Sequence, residues 1–153
     1  MEAEPTSETG PVVVGLDGSE ASLNALRHGL QEAAWRGAEL HVVHVLTVTP
    51  AVLHLAGDVT ITTREQAESD RAEVWRRAEP TLDGAEVPVT RVDREGEPGA
   101  ALTDYSREVG ASVLVVGPRG RGRVKEMLLG STAQAAVRAA TSDVLVVKPA
   151  AED

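Results

Sequence analysis

The chain has 153 residues, a length that suits one domain with a sizeable core. Aromatic residues make up 2% and phenylalanine is absent, so the core must be built from valine, leucine, alanine and isoleucine, as in parallel sheets. The formal charge of −9 disfavours nucleic acid and anionic membranes as partners, and the lack of cysteine excludes disulfides, thiolate metal sites and a cysteine nucleophile.

The first ten residues, MEAEPTSETG, are acidic and polar, and they lack the basic start and the apolar stretch of a signal peptide. No apolar run in the sequence approaches the roughly 18 residues needed to span a bilayer. We therefore expect a cytoplasmic protein with a flexible segment at 1–10, one domain at 11–149 and a short tail at 150–153.

Strand and helix patterns alternate from the start of the predicted domain. PVVVGLD at 11–17 predicts a strand buried on both faces, and Ser19 can cap a following helix that Gly37 ends. ELHVVHVL at 39–46 predicts the second strand. Residues 47–61 have too little periodicity to assign, and this connection is long enough to be a functional loop.

Proline affects the expected limits of the next two elements. Thr62 or Thr63 can cap a second helix, and Pro80 leaves the far end of that helix open. AEVPVTRV at 85–92 predicts a third strand, which we place toward a sheet edge because Pro88 has no N–H to donate to a ladder.

The last elements follow the same alternation. Pro98 suits the first turn of a third helix, which Gly110 stops. SVLVVG at 112–117 predicts the fourth strand, and a last helix from about Ser131 to Ala140 precedes a fifth strand, DVLVVKP at 143–149.

This alternation predicts an α/β fold in which one five-stranded parallel sheet, of order 3-2-1-4-5, has helices on both faces. Strands 1 and 4 are then neighbours whose helices leave to opposite faces, and a crevice opens at their carboxyl ends. Two loops meet at the crevice: GLDGSEAS after strand 1, and the glycine-rich loop after strand 4.

The loop after strand 4 has the composition of a phosphate-binding loop. Its glycines, which let a backbone approach a ligand closely, are at 117, 120, 122 and 130. Ser131 and Thr132 open a helix whose first N–H groups are available to an anion. The loop also carries four positive charges, on Arg119, Arg121, Arg123 and Lys125, which either attract the anion or form only a solvated face.

Simpler interpretations exist for several of these features. The glycine loop can be a plain strand-to-helix connection, because glycine-rich turns are common. Neither a Walker A nor a dinucleotide spacing is present in it. Asp17 can cap the first helix rather than bind a ligand. His41 and His44 are an odd number apart on one strand, so they face opposite ways and do not form a joint site. Trp35 and Trp75 are expected to be packing residues.

The chain resembles the universal stress protein family, in its ATP-binding branch. The nucleotide motif of that family, G-x2-G-x9-G-[ST], is matched at every spacing by Gly117, Gly120, Gly130 and Ser131. VVVGLDGSEAS, ELHVVHV, GEPGAAL and DVLVVKP resemble other parts of the family, so that the resemblance covers 11–149. Asp143 departs from the proline that the family usually has there. The resemblance implies an adenine nucleotide alpha hydrolase-like, Rossmann-like fold.

The resemblance also implies a ligand and the residues that hold it. ATP would contact, through its phosphates and ribose, the residues Gly117, Gly120, Gly130, Ser131 and Thr132. Asp17 would contact the adenosine end, and the main chain near Val45 would face the adenine edge. Mg²⁺ would bridge phosphates and water, because no cluster in the sequence is typical of an all-protein metal site.

The implied function is that of a cytoplasmic regulatory protein of the stress response, which works through nucleotide-dependent conformation or partner binding. Hydrolysis would be slow at most, because no residue is an evident water-positioning base, and no catalytic residue is assigned. A nucleotide-using α/β enzyme, such as a nucleotidyl transferase, and a nucleotide-free dimerising module are the alternatives. We expect a homodimer through the edge strand at 143–149.

Overall fold

The structure, a computed structural model, describes residues 9–48, 63–120 and 129–149. Its elements, in chain order, are β1 (Val12–Gly15), α1 (Glu20–Arg36), β2 (Leu40–Leu46), α2 (Arg64–Asp83), β3 (Val89–Glu95), α3 (Pro98–Glu108), β4 (Val113–Val116), α4 (Ser131–Ala139) and β5 (Asp143–Val146). The predicted alternation of five strands and four helices is confirmed. Within the described ranges, no helix is long and apolar enough to cross a bilayer.

Some of the predicted features lie outside the described residues. They are 1–8 of the predicted flexible segment, 49–61 of the unassigned connection, the tail at 150–153, and the residues Thr62, Arg121, Gly122, Arg123 and Lys125. Thr63, the other candidate cap, is described and accepts a hydrogen bond from the Gln66 N–H, so it caps α2.

The strands form one parallel sheet in the predicted order β3-β2-β1-β4-β5. At its centre, Val13 of β1 lies between His41 of β2 and Leu114 of β4. The three valines of β1 are 0% exposed, because helices cover both faces of the sheet. Each such buried side chain contributes about 1.5–3 kcal/mol to stability relative to an exposed one.

Successive residues of a strand point to opposite faces, and the core is therefore divided into two layers by the sheet. Val12 and Val14 belong to the layer that contains α1 and α2 residues, whereas Val13 belongs to the layer that contains α3 and α4 residues. The helix α1 approaches β1 closely: a Cβ atom placed on Gly29 would lie 2.2 Å from Cγ2 of Val14. Glycine at position 29 thus permits this packing distance.

Several element limits differ from the predicted ones, and the far end of α2, which the sequence left open, is now defined. The strand β3 starts at Val89 instead of residue 85, because its pairing with β2 begins only there. The first hydrogen bond between the two runs from the Leu40 N–H to the Pro88 carbonyl at 2.9 Å. The helix α2 continues through Pro80, which is exposed, and its last turn is anchored by the buried side chain of Leu82. The strand β5 ends at Val146, three residues before the predicted limit.

The prediction that Trp35 packs against the core is wrong, since this side chain is 71% exposed. Trp35 lies two residues after the buried Ala33, which in an α-helix is roughly 200° around the axis, so it faces solvent. Trp75 does pack, as expected: it lies against the α1–α2 layer, and its Nε1–H donates to Oδ1 of Asp93 at 3.0 Å.

Candidate functional site

A crevice of about 440 Å³ opens at the carboxyl ends of β1, β2 and β4. All seven residues that the sequence singled out line it: Asp17, Val45, Gly117, Gly120, Gly130, Ser131 and Thr132. The crevice lies where β1 and β4 are neighbours with helices on opposite faces, the usual position of a ligand in an open α/β sheet.

The turn after β1 is held by hydrogen bonds of its own side chains. Oδ1 of Asp17 accepts from the Ser19 N–H at 2.8 Å, and the Asp17 N–H donates to Oγ of Ser22 at 3.2 Å. Ser19, not Asp17, caps α1, since its hydroxyl accepts from the Ser22 N–H at 3.1 Å. The second carboxylate oxygen of Asp17 is close to the glycine loop, because a Cβ on Gly120 would lie 2.6 Å from it.

Arg77, a residue of α2, also stabilises the turn that follows β1. Its guanidinium donates to the carbonyl of Gly18 and pairs with Glu20 at 2.9 Å. Gly18 has a φ of 84°, a left-handed conformation that favours glycine. The turn that carries Asp17 is therefore held by α2 as well as by α1.

The glycine loop brings the end of β4 close to the start of α4. The Gly130 N–H donates to the Pro118 carbonyl at 2.6 Å, and a Cβ on Gly130 would lie 3.3 Å from Cα of Arg119. At Gly117 a Cβ would lie 3.0 Å from the Cβ of Ala21 in α1. These glycines allow three backbone segments to approach one another around the crevice.

The amino end of α4 has no side-chain cap, whereas Ser19, Thr63 and Glu97 cap the other described helices. The first hydrogen bond of α4 runs from the Gln134 N–H to the Gly130 carbonyl at 3.0 Å.

Three earlier N–H groups of α4 thus have no acceptor among the described residues: those of Ser131, Thr132 and Ala133. All three residues line the crevice. Unpaired N–H groups and the partial positive charge of a helix terminus favour an anion at this end of the crevice.

Val45 presents backbone groups to the opposite side of the crevice. In a strand, the N–H and C=O of one residue point to the same neighbouring strand, and alternate residues point to opposite neighbours. The Val43 carbonyl accepts from the Leu16 N–H at 2.9 Å, so the backbone groups of Val45 also point to the β1 side. Since β1 ends at Gly15, Val45 faces the crevice instead of a strand.

The structure adds crevice residues that the sequence did not assign to the ligand site, among them Ser22, His44, Thr47, Ala67, Asp70, Pro98 and Leu102. Those from α2 and α3 come from elsewhere in the chain, and no local spacing could have indicated them. Arg119 lines the crevice and is the one member of the predicted positive cluster that the structure describes. Among the described residues, no group of three or more His, Asp or Glu side chains could hold a metal ion.

The sheet order and the crevice at its switch point define a doubly wound α/β protein with a ligand-sized cleft. The sequence model of the universal stress protein family matches residues 8–148, and the chain belongs to this family. The predicted family and fold are thus confirmed.

The relatives share most of the chain at modest identity. A universal stress protein of Mycobacterium tuberculosis is 35% identical over 147 residues, which cover 94% of this chain and 47% of that protein. The universal stress protein YxiE of Bacillus subtilis is 28% identical over 148 residues, covering 90% and 97%. The chain spans about half the length of the mycobacterial relatives it matches.

Solved structures have the same fold. The chain is similar, with a TM-score of 0.68 and 27% identity, to a universal stress protein in complex with cAMP, over 90% of this chain and 96% of that one. It is also similar to the universal stress protein UspA from Lactobacillus plantarum, with a TM-score of 0.75 and 20% identity, over 90% and 97%.

Proposed function

We propose that the protein binds ATP in the crevice and acts as a cytoplasmic regulator whose conformation or partner binding depends on the nucleotide. The observation that carries the proposal is the presence, in one crevice, of two complementary backbone surfaces. One is the donor and acceptor of Val45, and the other is the uncapped amino end of α4. A nucleotide needs both, because its base has a hydrogen-bonding edge and its phosphates are anionic.

The base lies against Val45 in this proposal. Adenine has a ring-nitrogen acceptor beside an amino donor on one edge, which suits one N–H and one C=O of the protein. Guanine has a ring N–H and a carbonyl oxygen at the corresponding positions, so each of its groups would meet a like group. The arrangement therefore favours ATP over GTP. The similar protein of known structure that holds cAMP supports an adenine nucleotide as the ligand class.

The phosphates lie at the amino end of α4, where the N–H groups and hydroxyls of Ser131 and Thr132 donate to them. Mg²⁺ is held by the phosphates and water. Asp17 lies on the ribose side, where a carboxylate can accept from sugar hydroxyls, whereas beside the phosphates it would repel them. In this proposal Gly120, which is close to Asp17, lies on the ribose side as well. No group here is assigned to activate water, and hydrolysis is slow at most.

A second copy of the chain is proposed to pair with β5. The Val147 N–H donates to the Val116 carbonyl of β4 at 2.9 Å, so the alternate residues Val144 and Val146 direct their backbone groups away from β4. Their outward edge pairs with no other strand among the described residues. An antiparallel partner related by a two-fold axis would satisfy these groups.

Calorimetric titration of the purified protein with ATP and with GTP tests the ligand. We expect saturable ATP binding and GTP binding that is weaker by at least about ten-fold, the effect of roughly one unmatched hydrogen bond. Equal or tighter binding of GTP would refute the adenine assignment. Binding of neither would leave the dimerising module as the better hypothesis.

A further inference from the structure

His44 is the one histidine that lines the crevice among the described residues, and it is 8% exposed. Its Nδ1 lies 2.9 Å from the Leu16 carbonyl oxygen. A carbonyl oxygen only accepts hydrogen bonds, so Nδ1 must carry the proton and donate. The side chain of a β2 residue is therefore bonded to the backbone of the turn that follows β1.

The Leu16 carbonyl is the acceptor that the regular sheet would give to Val45. In the β1–β2 ladder Val43 is opposite Gly15, and its carbonyl accepts from the Leu16 N–H. The next bond of a parallel ladder would run from the Val45 N–H to the Leu16 carbonyl. That bond is absent from the described backbone hydrogen bonds, and the imidazole of His44 is bonded to the carbonyl instead.

We propose that His44 is a positioning residue, which holds the Leu16 carbonyl and thereby leaves the Val45 N–H free for the base of a nucleotide. This inference rests on the proposed function and identifies the interaction that keeps the Val45 N–H available to the base. Without His44, the Leu16 carbonyl and the Val45 N–H would lie side by side with no hydrogen-bond partner. Because an unpaired buried polar group is costly, these two groups would then pair with each other. One more rung of the β1–β2 ladder would then form, and the base site would lose its donor.

The test compares two variants of His44 with a control on the same strand. His44→Leu removes the donor, whereas His44→Asn retains an N–H donor on the atom that corresponds to Nδ1. His41→Leu is the control, because His41 lies on the other face of the sheet and contacts Tyr105 and Glu39. Thermal unfolding of each variant shows whether it is folded before binding is measured.

The hydrogen-exchange rate of the Val45 amide, measured by NMR, shows whether this N–H is hydrogen-bonded, and it can be measured without any nucleotide. We expect rapid exchange in the wild type and in the His41→Leu and His44→Asn variants. In His44→Leu, exchange should be slower by at least about ten-fold, because a new hydrogen bond protects the amide. The ring nitrogen Nδ1 of His44 in the wild type should carry a proton.

Calorimetry with ATP and with inorganic tripolyphosphate supplies the second readout. His44→Leu should bind ATP about ten-fold more weakly, the scale of one lost hydrogen bond, and tripolyphosphate as the wild type does. His44→Asn should retain most of the ATP affinity. A general loss of structure would weaken the binding of both ligands, and the His44→Asn variant would not retain the affinity for ATP.

The outcomes separate this inference from the proposed function. If the wild type binds ATP and His44→Leu binds it equally well, the positioning role is overturned. Unchanged exchange at Val45 in a folded His44→Leu variant overturns it too. If the wild type binds no ATP, the proposed function fails, and the exchange of Val45 alone then decides whether His44 keeps that amide unpaired.

Discussion

Gly120→Ala tests the contact between the glycine loop and the turn after β1. The added Cβ would lie 2.6 Å from Oδ2 of Asp17, and this separation must grow to about the 3.4 Å at which ordinary contact begins. The carboxylate cannot turn freely, because its Oδ1 is bonded to the Ser19 N–H at 2.8 Å. Gly120 has no positive φ, so alanine there adds no backbone strain. The substitution therefore acts on Asp17.

The expected loss of affinity is that of the proposed hydrogen bond between Asp17 and the ribose. A hydrogen bond to a charged group contributes about 1.5–3 kcal/mol, so ATP should bind roughly ten- to hundred-fold more weakly to Gly120→Ala. Gly120 is exposed, and the free energy of unfolding should change by less than about 1 kcal/mol. Calorimetry measures the first quantity and urea denaturation the second.

Two further variants make this experiment decisive. Gly84→Ala is the matched control, because its Cβ would lie 3.8 Å from the nearest atom, the Thr81 carbonyl oxygen, and Gly84 does not line the crevice. In an Asp17→Asn background, Gly120→Ala should cost little more, since both changes remove the same contact. Wild-type affinity in Gly120→Ala, or losses that add in full in the double variant, would refute the reasoning.

Gly130→Val should abolish ATP binding, because the added Cβ would lie 3.3 Å from Cα of Arg119 and the branched side chain would occupy the proposed phosphate site. Ser131→Ala should weaken binding by about 1–3 kcal/mol. Calorimetry checks both, and the loop assignment is wrong if Gly130→Val binds normally while Ser131→Ala does not. Gly29→Ala should lower the free energy of unfolding by about 1–2 kcal/mol, because overpacking against Val14 outweighs a gain of about 1 kcal/mol in helix propensity. A more stable variant in urea denaturation would show that α1 is not this close to β1. Val146→Pro removes an outward N–H of β5 and should reduce dimerisation in light scattering. A monomeric wild type, or a variant that dimerises unchanged, would contradict the β5 interface.

The sequence predicted the order of the sheet and the loops that meet at its edge. Buried parallel strands are short aliphatic runs, and VVVG and VLVV identify β1 and β4 by composition alone. The glycine spacing then located the loop, since glycine is required wherever backbones approach closely. These features depend on local residue patterns, which a single sequence contains.

Features that depend on contacts between distant parts of the chain were not predictable in the same way. The strand β3 was placed too early, because its start is set by the pairing of Val89 with Leu40 of β2. The crevice residues Ala67 and Asp70 come from α2, whose position over the sheet no spacing defines. The sequence predicted that His41 and His44 face opposite ways, but the bond of His44 to Leu16 depends on where β1 ends.

A crystal structure of the protein with a non-hydrolysable ATP analogue and Mg²⁺ tests the central claim most directly. We predict the adenine edge within hydrogen-bonding distance of the Val45 N–H and C=O. The phosphates should lie at the N–H groups of Ser131 and Thr132, and the ribose beside Asp17. A nucleotide bound outside the crevice, or one whose phosphates lie at Val45 and whose base lies at α4, would contradict the account.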